Sequence, residues 1–346
     1  MTGVIAGTGS YVPSYVMDNN KLSEFVDTSD EWIKERTGVA RRHIVADETT
    51  SFMAAEAAKK AVEDADLTPD QIDLILVSTI SSDVILPCTA CEVQRILGAV
   101  NATCFDLNAA CTGFVLAYNT ANAYIQSGVY KNALVIGSES LSNLTNWKDR
   151  GTCILFGDGA GAVVLTAEEK ASYVPATHSE GAKGEALTLK SRHDSNGITK
   201  EIEPNRMMDA EYFMQMDGQA VFKFAVKKVP ECIQEVLEIT GTEKEDIRWY
   251  LLHQANSRII QSAAKRLKEP EEKFPMNMDQ YGNTSAASIP ILLDEMNRSG
   301  KLKRGDRLML SGFGAGLTWG AAQFVWCKMR MKYSVPGILM LYFLFQ

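Results

Sequence analysis

Residues 51–79, SFMAAEAAKKAVEDADLTPDQIDLILVST, contain a helical pattern, a turn signal and an apolar strand pattern, in that order. The same order recurs in residues 221–254, VFKFAVKKVPECIQEVLEITGTEKEDIRWYLLHQ. Helical and strand patterns that alternate in this way indicate an α/β fold with largely buried strands. Ile72 and Ile247 occupy equivalent places in the two runs, 175 residues apart (247 − 72 = 175). The pattern predicts that one α/β unit occurs twice.

The 175-residue offset recurs at two further landmarks. Gly137 in ALVIGSE is equivalent to Gly312 in RLMLSGF (312 − 137 = 175), and Asn108 in FDLNAACTGF is equivalent to Asn283 in QYGNTSAASIP (283 − 108 = 175). A duplicated α/β fold tends to bring matching loops together on its pseudo-twofold axis. We therefore expect the loops after Phe105 and after the strand at Leu252, and those around Gly282 and Gly314, to converge on one shared site.

The chain divides into two halves and a tail. We predict an N-terminal half at 1–170 and a C-terminal half at 171–328, because a strand pattern gives way to a polar stretch near residues 168–183. The tail is 329–346, and its strongly apolar part, residues 335–346, is far shorter than the ~20 residues that span a bilayer, so we interpret it as a packed or added segment. The first residues lack a basic region followed by a long apolar stretch, which argues against a secretory signal.

Composition excludes some classes of protein. Of the 346 residues, 46% are apolar and 23% are charged, as in ordinary globular enzymes, and the net charge of −8 argues against a nucleic-acid-binding protein. The seven cysteines form an odd, irregularly spaced set, which predicts free thiols in a reducing cytoplasm.

Cys111 is a candidate nucleophile. It lies between an apolar strand pattern, ATCFDL, and a helical pattern, TGFVLAYNTANAYIQSG. At a helix N-terminus the backbone N–H groups and the helix dipole stabilise a thiolate, so we expect a lowered pKa. The alternative is a buried structural cysteine, since free cysteines are among the most buried residues.

His253 and Asn283 are candidate polar partners of this thiol. His253 ends a strand pattern, WYLLHQAN, and side chains beyond the carboxyl end of a strand lie where α/β proteins place their sites. Asn283 lies in a turn-rich stretch ahead of a helix predicted to begin near Ile289. The alternatives are a hydrogen-bonded core histidine and an asparagine that forms a turn or helix cap.

Two further motifs contain glycines and cysteines. Residues 311–322, SGFGAGLTWGAA, have glycines at 312, 314 and 316 between two strand patterns. No helical pattern follows them, so this is not a dinucleotide-binding motif. Such a loop can instead present backbone N–H groups to an oxyanion. Cys88 and Cys91 form a CxxC without further ligands nearby, so we predict packing residues and no metal site.

From Gly7 to Lys328 the chain resembles the β-ketoacyl-[acyl-carrier-protein] synthase III family, the condensing enzymes that initiate type II fatty-acid synthesis. The motifs that carry the resemblance occur in family order: TSDEWIKERTGVARRHI, DLNAACTGF, FGDGAGA, HQAN, GNTSAASIP and GFGAGLTWG. The resemblance implies a thiolase-like fold in which two duplicated α/β halves form a layered α-β-α-β-α structure. It also implies a cytoplasmic homodimer that carries out more than one reaction step.

The resemblance implies a catalytic triad of Cys111, His253 and Asn283. Cys111 would take the acyl group from acyl-CoA, with acetyl-CoA the expected primer. His253 and Asn283 would stabilise the enolate formed when malonyl-acyl-carrier-protein loses CO₂. The backbone N–H groups of Cys111 and Ala315 would form the oxyanion hole; the family often has glycine at the latter position. The Asn283 position separates this family from elongating synthases, which have histidine there, and from thiolases, which use a second cysteine.

The resemblance also implies substrate contacts. Trp32, Arg36, Arg150 and Asn256 match positions that bind CoA, and stacking indole and forked guanidinium groups suit adenine and phosphate. Each of these four residues could alternatively serve only surface packing or a surface ion pair.

A basic face and one pocket residue complete the predicted site. The residues predicted to bind an acidic carrier protein are Lys223, Arg258, Lys265 and Arg266. A charge run can also be only a solvated face. Leu86 stands where many members have a phenylalanine that lines the acyl pocket of the partner subunit.

Two other functions are compatible with the sequence. One is a related condensing enzyme of secondary metabolism that uses the same triad. The other is a non-catalytic carrier-protein-binding protein. For a synthase III the two thioester substrates supply the reactive groups of the condensation. We therefore expect no cofactor, no metal, no nucleic acid and no membrane.

Overall fold

A computed structural model of the chain describes residues 1–169, 171–190 and 212–328. Its first large sheet has five strands: β1 (Thr2–Tyr11), β4 (Leu74–Ser78), β5 (Thr103–Leu107), β6 (Asn132–Ser140) and β7 (Asp158–Glu168). Their spatial order is β1-β7-β6-β4-β5. The short strands β2 (Tyr15–Asp18) and β3 (Arg41–Ile44) pair separately.

The second large sheet has four strands: β8 (Tyr173–Ser179), β11 (Ile247–Leu252), β12 (Arg307–Gly314) and β13 (Thr318–Val325). Their order is β8-β13-β12-β11, with β11 and β12 parallel and the other neighbours antiparallel. The strands β1, β7, β6 and β4 of the first sheet have the same order and the same directions. The predicted duplication is confirmed. A small pair, β9 (Leu187–Thr188) and β10 (Gln215–Met216), stands apart.

Ten α-helices occur in the described residues: α1 (Asn19–Leu22), α2 (Asp30–Thr37), α3 (Thr50–Asp64), α4 (Thr89–Leu97), α5 (Gly113–Gln126), α6 (Arg150–Cys153), α7 (Gly218–Thr240), α8 (Ser257–Leu267), α9 (Met278–Tyr281) and α10 (Ser288–Arg298). The helices predicted within residues 51–79 and 221–254 are α3 and α7, and the one predicted near Ile289 is α10. Across the ranges that the structure covers, no helix has both the length and the apolar character needed to cross a membrane.

The elements form five layers. Apolar side chains of α5 and α10 pack between the two sheets in one core, which includes residues of β4 and β6 on one side and of β11 and β12 on the other. The outer face of the first sheet is covered by α3, and that of the second sheet by α7 and α8. This is the predicted α-β-α-β-α arrangement, in which the central helices separate two sheets of the same topology.

The central helices begin in equivalent ways. A 3₁₀ turn, Ala110–Thr112, precedes α5, and a second one, Ser285–Ala287, precedes α10. The first residue of each turn has a positive φ, 46° at Ala110 and 49° at Ser285, and the two lie 175 residues apart (285 − 110 = 175). The duplicated framework therefore places two sharp turns next to each other at the centre of the molecule.

Candidate active site

A cavity of about 1130 Å³ lies where the two halves meet. Its lining includes all four residues predicted for the triad and the oxyanion hole: Cys111, His253, Asn283 and Ala315. Cys111 comes from the N-terminal half and the other three come from the C-terminal half. The expected convergence of equivalent loops on one site is therefore seen in the structure.

Cys111 lies in the turn before α5, and 8% of its surface is exposed. The end of β12 comes so close that a Cβ atom on Gly314 would lie 2.8 Å from the backbone nitrogen of Cys111. Burial raises the pKa of the Cys111 thiol to about 12, which is opposite to the lowering expected from the helix start. Loss of hydration outweighs the helix dipole here. Cys111 is therefore a protonated thiol at physiological pH.

His253 directly follows β11, and its N–H donates to the carbonyl oxygen of Ser311 at 2.8 Å. Its Nδ1 lies 2.7 Å from the Oγ of Ser288, and the edge of its ring contacts the ring of Phe313, with centroids 5.2 Å apart. Burial lowers the pKa of His253 to about 3, because desolvation disfavours the imidazolium. The ring is neutral at physiological pH and lies at the cavity wall.

Asn283 is fixed through its backbone and its side chain. Its N–H donates to the carbonyl oxygen of Leu155 at 2.8 Å, and its carbonyl oxygen accepts from the N–H of Gly157 at 3.1 Å. Its Oδ1 accepts a hydrogen bond from the N–H of Ser285 at 2.9 Å. Because Oδ1 is engaged in this way, the amide Nδ2 remains as the donor that Asn283 can offer to the cavity.

The loop between β12 and β13, residues 315–317, is held next to the turn that carries Cys111 by hydrogen bonds. The Oγ1 of Thr112 donates to the carbonyl oxygen of Thr318 at 3.1 Å. The Oγ1 of Thr318 donates to the carbonyl oxygen of Ala315 at 3.0 Å. Ala315 does not have a positive φ, so a side chain is tolerated where the family often has glycine. This loop holds Ala315 at the cavity wall beside Cys111.

The four predicted CoA contacts lie together on the surface. The guanidinium groups of Arg36 and Arg150 lie over the Trp32 ring, 4.8 and 4.9 Å from its centroid. The Nδ2 of Asn256 donates to the carbonyl oxygen of Arg36 at 2.9 Å, and Asn256 also lines the cavity. Trp32 is half-buried rather than exposed. The cluster therefore joins a cation-rich surface to the cavity mouth.

The four predicted carrier-protein contacts are exposed on neighbouring helices. Lys223 is on α7, and Arg258, Lys265 and Arg266 are on α8. Arg258 lies over the ring of Phe222, which lines the cavity. None of these four cations forms an ion pair with a carboxylate of the described residues. They constitute a basic face beside the cavity mouth.

Leu86 does not line the cavity of its own chain. It belongs to an exposed apolar segment in which Ile85 is 78% and Leu86 is 83% exposed. Ile85, not Leu86, contributes to the cavity wall. Within one chain, Leu86 projects outward.

The remaining thiols and possible metal ligands lie outside the cavity. Cys88 and Cys91 are half-buried at the start of α4, with their sulfur atoms 3.4 Å apart. Cys88 packs against the core under α3, as the packing interpretation predicts. In the part of the chain that the structure describes, His178, Cys232 and Glu235 are close enough together to hold a metal ion, and none of them lines the cavity.

Comparison with known proteins identifies the family. Profiles described as 3-oxoacyl-[acyl-carrier-protein] synthase III and its C-terminal region match residues 105–181 and 237–326. The β-ketoacyl-[acyl-carrier-protein] synthase III of Clostridium acetobutylicum is 47% identical over 324 residues, which cover 94% of this chain and 98% of that protein. The chain belongs to the β-ketoacyl-[acyl-carrier-protein] synthase III family.

Solved structures of a synthase III and of a priming β-ketosynthase have the same fold. The Aquifex aeolicus 3-oxoacyl-[acyl-carrier-protein] synthase III superposes with a TM-score of 0.86 at 43% identity, over 93% of this chain and 99% of that one. The priming β-ketosynthase of the R1128 polyketide pathway superposes with a TM-score of 0.87 at 33% identity, over 94% and 96% of the two chains. The thiolase-like fold is thus confirmed over nearly the whole chain.

Several site residues of this synthase III were not found from the sequence. Glu139 is fully buried at the end of β6, and its Oε2 accepts hydrogen bonds from Ser81, from Thr79 and from the N–H of Ile80 at 2.7–3.2 Å. Burial raises its pKa to about 7.

Ser288 and Phe313, which contact His253, were also missed. The 175-residue offset was the available signal for Ser288, since it makes Ser288 equivalent to Gly113, which directly follows the turn that carries Cys111.

Proposed function

We propose that this synthase III transfers an acyl group from acyl-CoA to Cys111 and condenses it with malonyl-acyl-carrier-protein. The products are 3-oxoacyl-acyl-carrier-protein, CoA and CO₂, and acetyl-CoA is the proposed primer. The observation that carries the proposal is the convergence of Cys111, His253, Asn283 and Ala315 on one cavity. A thiol, a neutral imidazole, an amide donor and a backbone donor are the groups that these two steps require.

In the first step the sulfur of Cys111 attacks the thioester carbonyl and the bond from that carbon to the CoA sulfur breaks. The thiol proton must leave, because burial holds the pKa of Cys111 near 12. The proton passes to the CoA sulfur, so that CoA leaves as the thiol. The neutral ring of His253, which lines the same cavity, can donate a hydrogen bond to the developing thiolate. The N–H groups of Cys111 and Ala315 would stabilise the tetrahedral oxyanion.

In the second step malonyl-acyl-carrier-protein loses CO₂, and the electron pair of the broken bond forms an enolate. His253 and Asn283 donate hydrogen bonds to the enolate oxygen, and the orientation of the Asn283 amide supports this role. The enolate carbon attacks the acyl group on Cys111, whose thiolate leaves and takes up a proton. Loss of CO₂ and the two thioesters supply the reactive groups, so we propose no metal and no cofactor.

The surface cluster of Trp32, Arg36, Arg150 and Asn256 is the proposed CoA site. Its two guanidinium groups can pair with phosphates, while the indole offers a face for the adenine. The position of Asn256 at both the cluster and the cavity supports a path for the pantetheine arm.

The basic face of Lys223, Arg258, Lys265 and Arg266 is the proposed docking site of the acidic carrier protein. The net charge of −8 would repel such a partner, so attraction requires a local group of cations. The lack of ion pairs within the described residues leaves these side chains available for an incoming carboxylate.

We also propose a cytoplasmic homodimer. Within the described residues β5 pairs only with β4, so its other edge is free, and exposed strand edges favour pairing with another chain. The exposed Ile85 and Leu86 would be covered in such a dimer, and Leu86 would enter the acyl pocket of the partner subunit. A leucine has less volume than a phenylalanine, so this pocket would admit branched primers besides acetyl.

Primary fatty-acid synthesis is the proposed setting. The synthase III of Clostridium acetobutylicum, at 47% identity over 94% of this chain, supports this setting. The presence of Cys111, His253 and Asn283 in one cavity argues against a non-catalytic binding protein.

The test is the rate of condensation of acetyl-CoA with malonyl-acyl-carrier-protein by Cys111→Ala. We expect the variant to fold and to form no 3-oxobutanoyl-acyl-carrier-protein. The matched control is Cys232→Ala, another buried thiol, which does not line the cavity and should retain activity. Condensation at the wild-type rate by Cys111→Ala would refute the proposal.

A further inference from the structure

The ring of His253 has one side-chain hydrogen-bond partner among the described residues, and it is a serine. Its Nδ1 lies 2.7 Å from the Oγ of Ser288, the first residue of α10. Ser288 is 3% exposed, so bulk water does not compete for this hydroxyl. The direction of this hydrogen bond decides which ring nitrogen of His253 carries the proton.

A second hydrogen bond fixes that direction. The N–H of Gln254 donates to the same Oγ at 3.3 Å. An amide N–H can only donate, so the Ser288 oxygen is the acceptor in this contact. If Nδ1 also donated, the hydroxyl hydrogen would be left without an acceptor among the described residues. An unmatched buried donor is unfavourable, so the hydroxyl donates to Nδ1.

The proton of the imidazole is then on Nε2. Burial keeps the ring neutral, since the pKa of His253 is lowered to about 3, and a neutral imidazole has a single N–H. No described residue forms a hydrogen bond with Nε2, and His253 lines the cavity. The ring therefore presents an N–H donor, rather than a lone pair, to a ligand in the cavity.

We propose that Ser288 is a positioning residue that fixes the Nε2–H tautomer of His253. The tautomer follows from the hydrogen bonds alone, whereas its benefit to decarboxylation rests on the proposed function. A donor that is already oriented needs no reorganisation when charge develops on the enolate oxygen.

The test measures the tautomer directly by NMR. The long-range ¹H–¹⁵N correlations of ¹⁵N-histidine-labelled enzyme report which ring nitrogen is protonated, and the chain has only four histidines. The spectrum of His253→Asn assigns the His253 signals by their loss. We expect protonated Nε2 and unprotonated Nδ1 in the wild-type enzyme and a mixture of tautomers in Ser288→Ala. Protonated Nδ1 in the wild type, or an unchanged tautomer in Ser288→Ala, would overturn the proposal.

Two variants separate positioning from packing. Ser288→Thr retains the hydroxyl and adds a buried methyl group, whereas Ser288→Ala removes the hydroxyl and adds nothing. If Ser288 positions His253, Thr should keep the tautomer and Ala should lose about fivefold in the rate of malonyl decarboxylation, the factor for one ordinary hydrogen bond. If Ser288 only fills space, Thr should be the worse variant, and the proposal is wrong.

Failure of the proposed function has a different signature. If Ser288→Ala changes the tautomer without slowing decarboxylation, the positioning role of Ser288 stands. The donor role assigned to His253 would then be wrong. The NMR measurement on the resting enzyme is thus independent of the reaction.

Discussion

Ser288 and Gly113 occupy equivalent positions, 175 residues apart (288 − 113 = 175), as the first residues of the two central helices. The residues that face them are also equivalent: His253 faces Ser288, and Ser78 faces Gly113 (253 − 78 = 175). In the C-terminal half the hydroxyl of Ser288 on the helix contacts the imidazole of His253, which directly follows the strand. In the N-terminal half the helix residue has no side chain and the hydroxyl is on the strand. One duplicated framework thus holds a polar pair in one half and a close packing contact in the other.

The first prediction tests this contact. A Cβ on Gly113 would lie 1.8 Å from the Oγ and 3.1 Å from the Cβ of Ser78. Gly113→Ala should therefore lower the free energy of unfolding by about 1–3 kcal/mol through overpacking. The Oγ of Ser78 has no hydrogen-bond partner among the described residues, so Ser78→Ala alone should be nearly neutral.

The double variant Ser78→Ala/Gly113→Ala should recover most of the loss, which chemical denaturation of all four proteins would measure. Strictly additive effects would contradict the proposed contact.

The second prediction separates the two steps of the reaction. Asn283→Ala should slow malonyl decarboxylation by about 10²–10³, because one oriented oxyanion donor is lost. Acylation of Cys111 by acetyl-CoA should change little, and it serves as the internal control. Rapid-quench measurement of both steps checks the division. An equal loss in both steps would show that Asn283 organises the site as a whole.

The sequence predicted the fold because the duplication preserves both hydrophobic periodicity and register. Residues 73–79 were predicted as a strand, and β4 spans Leu74–Ser78. The triad residues stood out because Cys111 and His253 are rare side chains at the ends of regular elements. Ser288 and Glu139 did not, because serine and glutamate are common and their roles depend on neighbours distant in sequence.

The pKa of Cys111 was predicted in the wrong direction for a related reason. The helix start is visible in the sequence, whereas the desolvation that raises the pKa to about 12 comes from packing by both halves. Local sequence reports the helix dipole but not the burial that opposes it.

The third prediction concerns the basic face. Arg258→Glu should raise the KM for malonyl-acyl-carrier-protein and leave the KM for acetyl-CoA nearly unchanged. The difference should shrink at high salt, since exposed charges are screened over ~8–10 Å at physiological ionic strength. Lys59→Glu is the matched control, because Lys59 is exposed on α3 in the other half. A similar rise in KM in both variants would point to net charge instead of a docking site.

The fourth prediction concerns pH. Burial raises the pKa of Glu139 from its usual value of 4.5 to about 7, so the folded state holds this proton more tightly than the unfolded state. The contribution to stability is complete below pH 4.5 and is lost as the pH rises towards 7, by about 1.4 kcal/mol for each unit of pKa shift.

Glu139→Gln should flatten this part of the stability curve, measured by urea denaturation at a series of pH values. A smaller slope should remain from Asp158, whose pKa burial raises to about 6. A curve that Glu139→Gln leaves unchanged would show that this carboxyl titrates normally.

The fifth prediction tests the central claim most directly, by locating the acyl group during turnover. The enzyme is incubated with acetyl-CoA, quenched and digested, and its peptides are analysed by mass spectrometry. We predict one acetyl group on the peptide that contains Cys111 and none on the other six cysteines. Addition of malonyl-acyl-carrier-protein before the quench should remove it and yield 3-oxobutanoyl-acyl-carrier-protein with release of CO₂. An acetyl group on another cysteine, or product formed while Cys111 is never acylated, would contradict the account.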